Sequence, residues 1–166
     1  MGARFPAEFD EVLDEGTPTA AAVGDRGYTE RVIQEAMRLY PPVYAIFREP
    51  QVDVRLGDYR IPAGSAVLLP QWVVHRSPRF WDDPETFDPD RWAETSERER
   101  FSYFPFGGGP RHCIGKSLSL LEATLILGTV GQRYSLERVG EGPLDLRPSL
   151  TMHPENGMEM RLHRRE

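Results

Sequence analysis

The stretch "FPFGGGPRHCIGKS", Phe104 to Ser117, sets three glycines, an arginine and the only cysteine of the chain just before an apolar helical pattern. Two chemistries compete for it, a phosphate loop and a metal ligand. A phosphate loop ending in Gly115-Lys116-Ser117 needs a glycine five places before Gly115, because backbone N–H groups must wrap the phosphates. That position is Pro110, which has no N–H. Gly109 leaves one intervening residue too many, and the proline-bearing "FSYFPF" is a poor buried strand to feed such a loop. A structural zinc site fares no better, since His75, His112, Cys113 and His153 lack any paired ligand spacing.

A lone cysteine is ordinarily a small buried apolar residue. Here its context points elsewhere. The glycine-rich loop delivers Cys113 to the start of a helix, where N–H groups without partners and the helix dipole stabilise a thiolate, a good soft metal ligand. Gly107 and Gly109 let the backbone bend tightly and approach something flat. Arg111, two residues before the cysteine, offers a guanidinium fork for carboxylates such as haem propionates.

The rest of the chain bounds these readings. Its 166 residues, 39% of them hydrophobic, suit one ordinary domain with a modest core. The 15 glycines and 15 prolines follow no repeat, so turns and irregular connections are expected rather than disorder. Net charge is −6, and 19 of the 20 basic residues are arginine, with Lys116 the sole lysine. That balance argues against nucleic acid as the main partner. One cysteine forms no intrachain disulfide, and with neither a signal peptide nor a run of 18 apolar residues the default expectation is a cytoplasmic protein without a membrane segment.

Residues 1–27 read as a partial helical lead-in, with a short helix around Phe9 to Leu13 and a break at Gly16-Thr17-Pro18. From Tyr28 to Leu39, Val32, Ile33, Ala36, Met37 and Leu39 keep helical spacing until Pro41-Pro42 stops the helix. Val43 to Phe47, "VDVRL" and "SAVLLP" predict a small sheet, with turns at Gly57-Asp58 and at Pro62-Ala63-Gly64. "QWVVHRS" predicts a short helix, and "PRFWDDPETFDPDRW" a meander pinned by Trp81, Phe87 and Trp92. Ile114, Leu118, Leu121, Leu125 and Ile126 mark one face of a helix running to about Arg133. "RYSLERV" and "MEMRLHRR" close the chain as hairpin-like strands, with a turn at Pro154-Glu155-Asn156-Gly157 before the second.

"FGGGPRHCIG" resembles the cysteine loop of the cytochrome P-450 family, Phe-x-x-Gly-x-Arg-x-Cys-x-Gly, with Phe106, Gly109, Arg111, Cys113 and Gly115 at the five defining positions. "EAMR" is similar to the family's Glu-x-x-Arg helix at Glu35 and Arg38, and "FDPDRW" to its Pro-x-Arg meander at Arg91. Glu35 and Arg38 are three apart and share a helix face, where a carboxylate can bridge two guanidinium groups. As a pair alone they would be a solvated surface pair. With Arg91 the resemblance makes them a buried structural triad.

The resemblance implies a mainly α fold with small β-sheets, the C-terminal haem-binding part of the cytochrome P-450 fold, over residues 28–166. It implies haem b with Cys113 as the axial iron ligand, Phe106 near the sulfur, and Gly107, Gly109, Arg111 and Gly115 in the cofactor loop. Arg48, ten residues beyond Arg38, either meets a propionate or is a surface arginine of an edge strand. Pro42 to Phe47 and Ser149-Leu150-Thr151 look like segments bordering a substrate pocket. The implied reaction inserts one oxygen atom from O2 into a small apolar organic substrate, with electrons from a ferredoxin or flavoprotein reductase. Arg111 and Lys116 either suit an acidic donor or serve propionate pairing and solvent exposure. The family's oxygen-activating central helix, with its Ala-Gly-x-x-Thr type motif, has no counterpart in these 166 residues, so a truncated chain is expected. That leaves two readings open, a monooxygenase and a catalytically inactive haem-binding remnant. His75 and His112 read as structural.

Overall fold

A computed structural model describes residues 27–93 and 98–165. The lead-in helix expected around Phe9 to Leu13 lies outside them. The first helix, α1, spans Tyr28–Leu39 and ends where Tyr40 N–H returns to the Ala36 carbonyl at 2.7 Å, just ahead of the prolines. Ile33 and Leu39 are buried on its inner face, and so are the ionisable Glu35 and Arg38.

Short antiparallel ladders follow. Strand β1 (Ile46–Arg48) pairs with β4 (Val67–Leu69), Ile46 opposite Leu69. Between them β2 (Val54–Leu56) and β3 (Tyr59–Ile61) form a hairpin of their own around Gly57, whose φ is +58°. The expected sheet is therefore two separate ladders. Helix α2 (Gln71–Val74) is a single turn, tied to the chain after α1 by Trp72 N–H on the Tyr44 carbonyl at 3.0 Å.

The meander is ordered by aromatic packing. Trp81 is buried, its ring 5.5 Å from that of Trp92, which lies 4.6 Å from Tyr103. A 3₁₀ turn at Pro89–Trp92 packs on α1, its Asp90 N–H capped by the Asp88 side chain at 3.0 Å. Phe87 and Trp92 are both half-buried, and Trp81 is the fully buried anchor of the meander.

The long helix α3, Lys116–Arg133, packs against α1. Its apolar residues do not form the single inward face expected: Leu121 and Leu125 are half-buried, whereas Leu118 and Ile126 are exposed and Ile114 lies in the loop before the helix, fully exposed. A helix apolar on several sides has the pattern of one enclosed within a larger domain. Strand β5 (Tyr134–Arg138) pairs with β8 (Met160–Arg164) across five residues. A hairpin of β6 (Leu146–Pro148) and β7 (Met152–Pro154), with Ser149-Leu150-Thr151 between its strands, sits between them in the chain.

Candidate haem-thiolate site

The loop carrying Cys113 is built from backbone bonds. Gly107 N–H meets the Phe104 carbonyl at 2.8 Å, and Cys113 N–H meets the Phe106 carbonyl at 2.9 Å, folding the loop back across seven residues. Between them Gly109–Arg111 forms a 3₁₀ turn, with His112 N–H on the Gly109 carbonyl at 3.1 Å and the His112 ring Nδ1 3.0 Å from the same oxygen. Gly107 has φ +73°, and a Cβ there would come within 3.3 Å of Ile46 Cδ1 on β1. Gly108, not singled out in the sequence, is needed more: a Cβ would lie 2.6 Å from Phe101 Cε1, and Phe101 itself sits at the unusual φ of +64°.

Cys113 does not begin the helix, as expected, but precedes its N-cap, Gly115, by two residues. The helix start is nonetheless beside the sulfur. A Cβ on Gly115 would lie 3.8 Å from Cys113 Sγ, and no side chain caps the first turn of α3. The thiol is free and exposed. A cavity of about 280 Å³ between α1, the loop and α3 is lined by Gln34, Met37, Phe106 and Lys116 among others, and Cys113 does not line it.

Arg111 and Arg48 are both exposed. Arg48 Nη1 donates only to the neighbouring Phe47 carbonyl at 2.8 Å, and Arg111 has no hydrogen-bond or ion-pair partner among the described residues. Arg111 on the loop and Arg48 on β1, the strand whose Ile46 faces Gly107, thus lack a carboxylate among the described residues. A single exposed thiol, a glycine-shaped approach and two guanidinium groups open to anions fit a haem with its propionates. Among the described residues no three His, Cys, Asp or Glu side chains converge, so the donor set is that one thiol.

Behind the loop, Glu35, Arg38 and Arg91 meet. Arg38 Nη2 and Nε donate to the two Glu35 oxygens at 2.8 and 2.9 Å, and Arg91 Nε donates at 3.0 Å. Asp88 N–H at 2.9 Å and Trp92 Nε1–H at 2.8 Å complete the shell, two partners that spacing alone did not indicate. Burial alone would raise the Glu35 pKa, but the bonds from Arg38, Asp88 and Trp92 outweigh it and hold the carboxyl below its usual 4.5. Arg38 spends its remaining donors on the carbonyls of His75 (2.9 Å), Pro84 (2.6 Å) and Thr86 (3.0 Å). The cluster thus fixes the meander to α1 rather than doing chemistry. Elsewhere, Met152 N–H on the Pro42 carbonyl at 2.8 Å joins β7 to the segment after α1, bringing together the two stretches expected to border substrate.

A fold of this kind, with a cysteine on a glycine-bent loop ahead of a long helix and a Glu–Arg–Arg cluster behind it, defines a haem-thiolate protein. The chain matches the family model "Cytochrome P450" over residues 3–159 and belongs to that family. Cyclooctatin synthase of Streptomyces melanosporofaciens is 40% identical over 152 residues, 90% of this chain and 33% of that protein. Thromboxane-A synthase of Sus scrofa is 37% identical over 139 residues, 81% of this chain and 26% of that protein. The crystal structure of the cytochrome P450DA heme domain superposes with a TM-score of 0.88 at 32% identity, over 99% of this chain and 37% of that one. The chain thus spans about a third of the length of the curated relatives it matches, 33% for cyclooctatin synthase. The cofactor of this family is haem iron with a cysteine thiolate ligand. Among the described residues no helix is long and apolar enough to cross a membrane.

Proposed function

We propose that residues 28–166 are the C-terminal haem-thiolate portion of a monooxygenase site, preceded by the lead-in of 1–27, with Cys113 as the axial iron ligand of haem b. The observation that carries this is the exposed Cys113 thiol on a loop folded back by the Cys113 N–H bond to the Phe106 carbonyl, two residues after Arg111, an arginine without a carboxylate among the described residues. When bound, the haem iron supplies O2 binding, and the thiolate's electron density favours O–O cleavage. Arg48 and Arg111 would take the propionates, and the bent backbone at Gly107 and Gly109 would let the ring come close.

The reaction places one oxygen atom of O2 in a small apolar organic substrate and the other in water, using two protons and two electrons from a ferredoxin or flavoprotein reductase. A relative named cyclooctat-9-en-7-ol 5-monooxygenase, 39% identical over 138 residues, supports an oxygen insertion of this type. Pro42 to Phe47 and Ser149 to Thr151, joined by the Met152–Pro42 bond, form the substrate-side border.

Haem is added to the purified chain, which is then reduced and exposed to carbon monoxide. The far red-shifted Soret band of thiolate-bound haem appears in the wild type and vanishes in Cys113→Ser. Absence of that band in the wild type overturns the assignment of Cys113.

A further inference from the structure

Two polar side chains of the short helix α2 are withdrawn from water entirely, Gln71 and His75, each 0% exposed. Buried polar groups are costly unless they are bonded. Neither is used by α2 itself. His75 Nε2 accepts the Phe104 N–H at 2.9 Å, and Gln71 Nε2 donates to the Phe104 carbonyl. The first bond fixes the imidazole tautomer, because a nitrogen that accepts leaves the proton on Nδ1. Nδ1 is buried and has no hydrogen-bond partner among the described residues.

Phe104 is the first residue of the cysteine loop. The carbonyl gripped by Gln71 also takes Gly107 N–H at 2.8 Å, and the carbonyl of Phe106, inside that turn, takes Cys113 N–H at 2.9 Å. The grip is anchored in turn, since the His75 carbonyl accepts from Arg38 Nη1 at 2.9 Å and the His75 ring lies edge-on to Phe104, centroids 5.3 Å apart. A continuous path of bonds runs from the Glu35–Arg38 pair through α2 to the backbone of the cysteine.

We propose that His75 and Gln71 are positioning residues for the thiolate: by clamping both backbone polar groups of Phe104, they hold the loop in the shape that keeps Cys113 on iron. This rests on Cys113 being the haem ligand. The critical property of His75 is its acceptor. Leucine keeps its bulk and loses the acceptor, leaving the part-buried Phe104 N–H without this partner, whereas glutamine restores an acceptor near the Nε2 position.

The test uses the full chain loaded with haem, comparing wild type with His75→Leu, His75→Gln and Gln71→Met. It reads haem content, the thiolate-type carbon monoxide band per haem, its rate of conversion to the thiol-type band, the iron reduction potential and thermal unfolding. The expected result is a conversion rate about tenfold faster, with a shifted potential, in His75→Leu, and near wild-type values in His75→Gln. Gln71→Met, which leaves the histidine in place, shows the same shift more weakly and covers the case in which His75→Leu does not fold. Variants that lose stability in parallel while band, potential and conversion rate per bound haem stay at wild-type values overturn the clamp, as does equal behaviour of the leucine and glutamine variants. A wild type without any thiolate band overturns the haem assignment itself, a separate outcome.

Discussion

Trp92 Nε1 donates to Glu35 Oε2 at 2.8 Å across 57 residues of sequence, joining the meander to α1 through a carboxylate that no solvent reaches. It is one of five bonds to Glu35, and it explains why a tryptophan rather than another large apolar residue stands after Arg91. Trp92→Phe keeps the packing against Trp81 and Tyr103 but removes the donor, and is expected to cost about 1–3 kcal/mol in urea unfolding. Glu35→Ala leaves Arg38 as a buried charge without its counter-ion and is expected to cost about 3–5 kcal/mol. Arg79→Ala, which breaks an exposed pair with Glu99, stays within error of wild type.

Stability should depend on pH through His75. Burial, and next the nearby Arg38 charge, push its pKa down from 6.5 to about 4. In the unfolded chain the imidazole binds a proton below pH 6.5, while in the folded chain it stays neutral until about pH 4. The unfolded state therefore holds more protons across that window, and stability falls as pH drops from 6.5 to about 4, then levels off for this group. His75→Gln flattens the slope in that window. Glu35 contributes in a lower range: its stabilisation is complete above its unfolded value of 4.5 and is lost as pH falls through its depressed folded value. Thermal midpoints measured from pH 7 to 3 for both proteins check this.

The loop glycines differ in what they demand. Gly57 and Gly108 are the informative pair, because a Cβ on Gly57 meets nothing within 4 Å whereas one on Gly108 meets Phe101 at 2.6 Å. Gly108→Ala must displace that ring, and with it the loop, and is expected to weaken haem binding. Gly57→Ala carries only the left-handed backbone penalty of about 1–2 kcal/mol and leaves haem affinity unchanged. Haem titration followed in the Soret region, with unfolding measured in parallel, separates the two.

Arg48 and Arg111 have no acidic partner among the described residues, so removing either breaks no ion pair, and for Arg48 only an exposed bond to the neighbouring Phe47 carbonyl. Arg111→Ala and Arg48→Ala are each expected to lower haem affinity about tenfold or more without moving the unfolding midpoint, as loss of a charge-assisted bond to a propionate requires. Haem affinity equal to wild type in both variants removes them from the site.

Helical spacing made the Glu35–Arg38 pair legible in the sequence, since three residues apart means one face. The span of α3 was legible for the same reason, but not its burial. Leu118 and Ile126 follow the helical period yet are exposed, because periodicity tells which residues share a face and not what covers it. His75 carries no recognisable spacing in the sequence, as a lone histidine has none; its importance comes from the Phe104 N–H, brought to it across 29 residues by the meander. The donors of Trp92 and Asp88 to Glu35 stayed hidden likewise, as they depend on how an irregular segment turns. Strands β6 and β7 are three residues each and bounded by prolines, too short for alternation to register.

The proposed function rests on a bond between the haem iron and the sulfur of Cys113. X-ray absorption at the iron edge of the haem-loaded chain detects that bond. One sulfur is expected among the iron's nearest neighbours in the wild type and none in Cys113→Ser. A wild-type iron surrounded only by nitrogen and oxygen contradicts it.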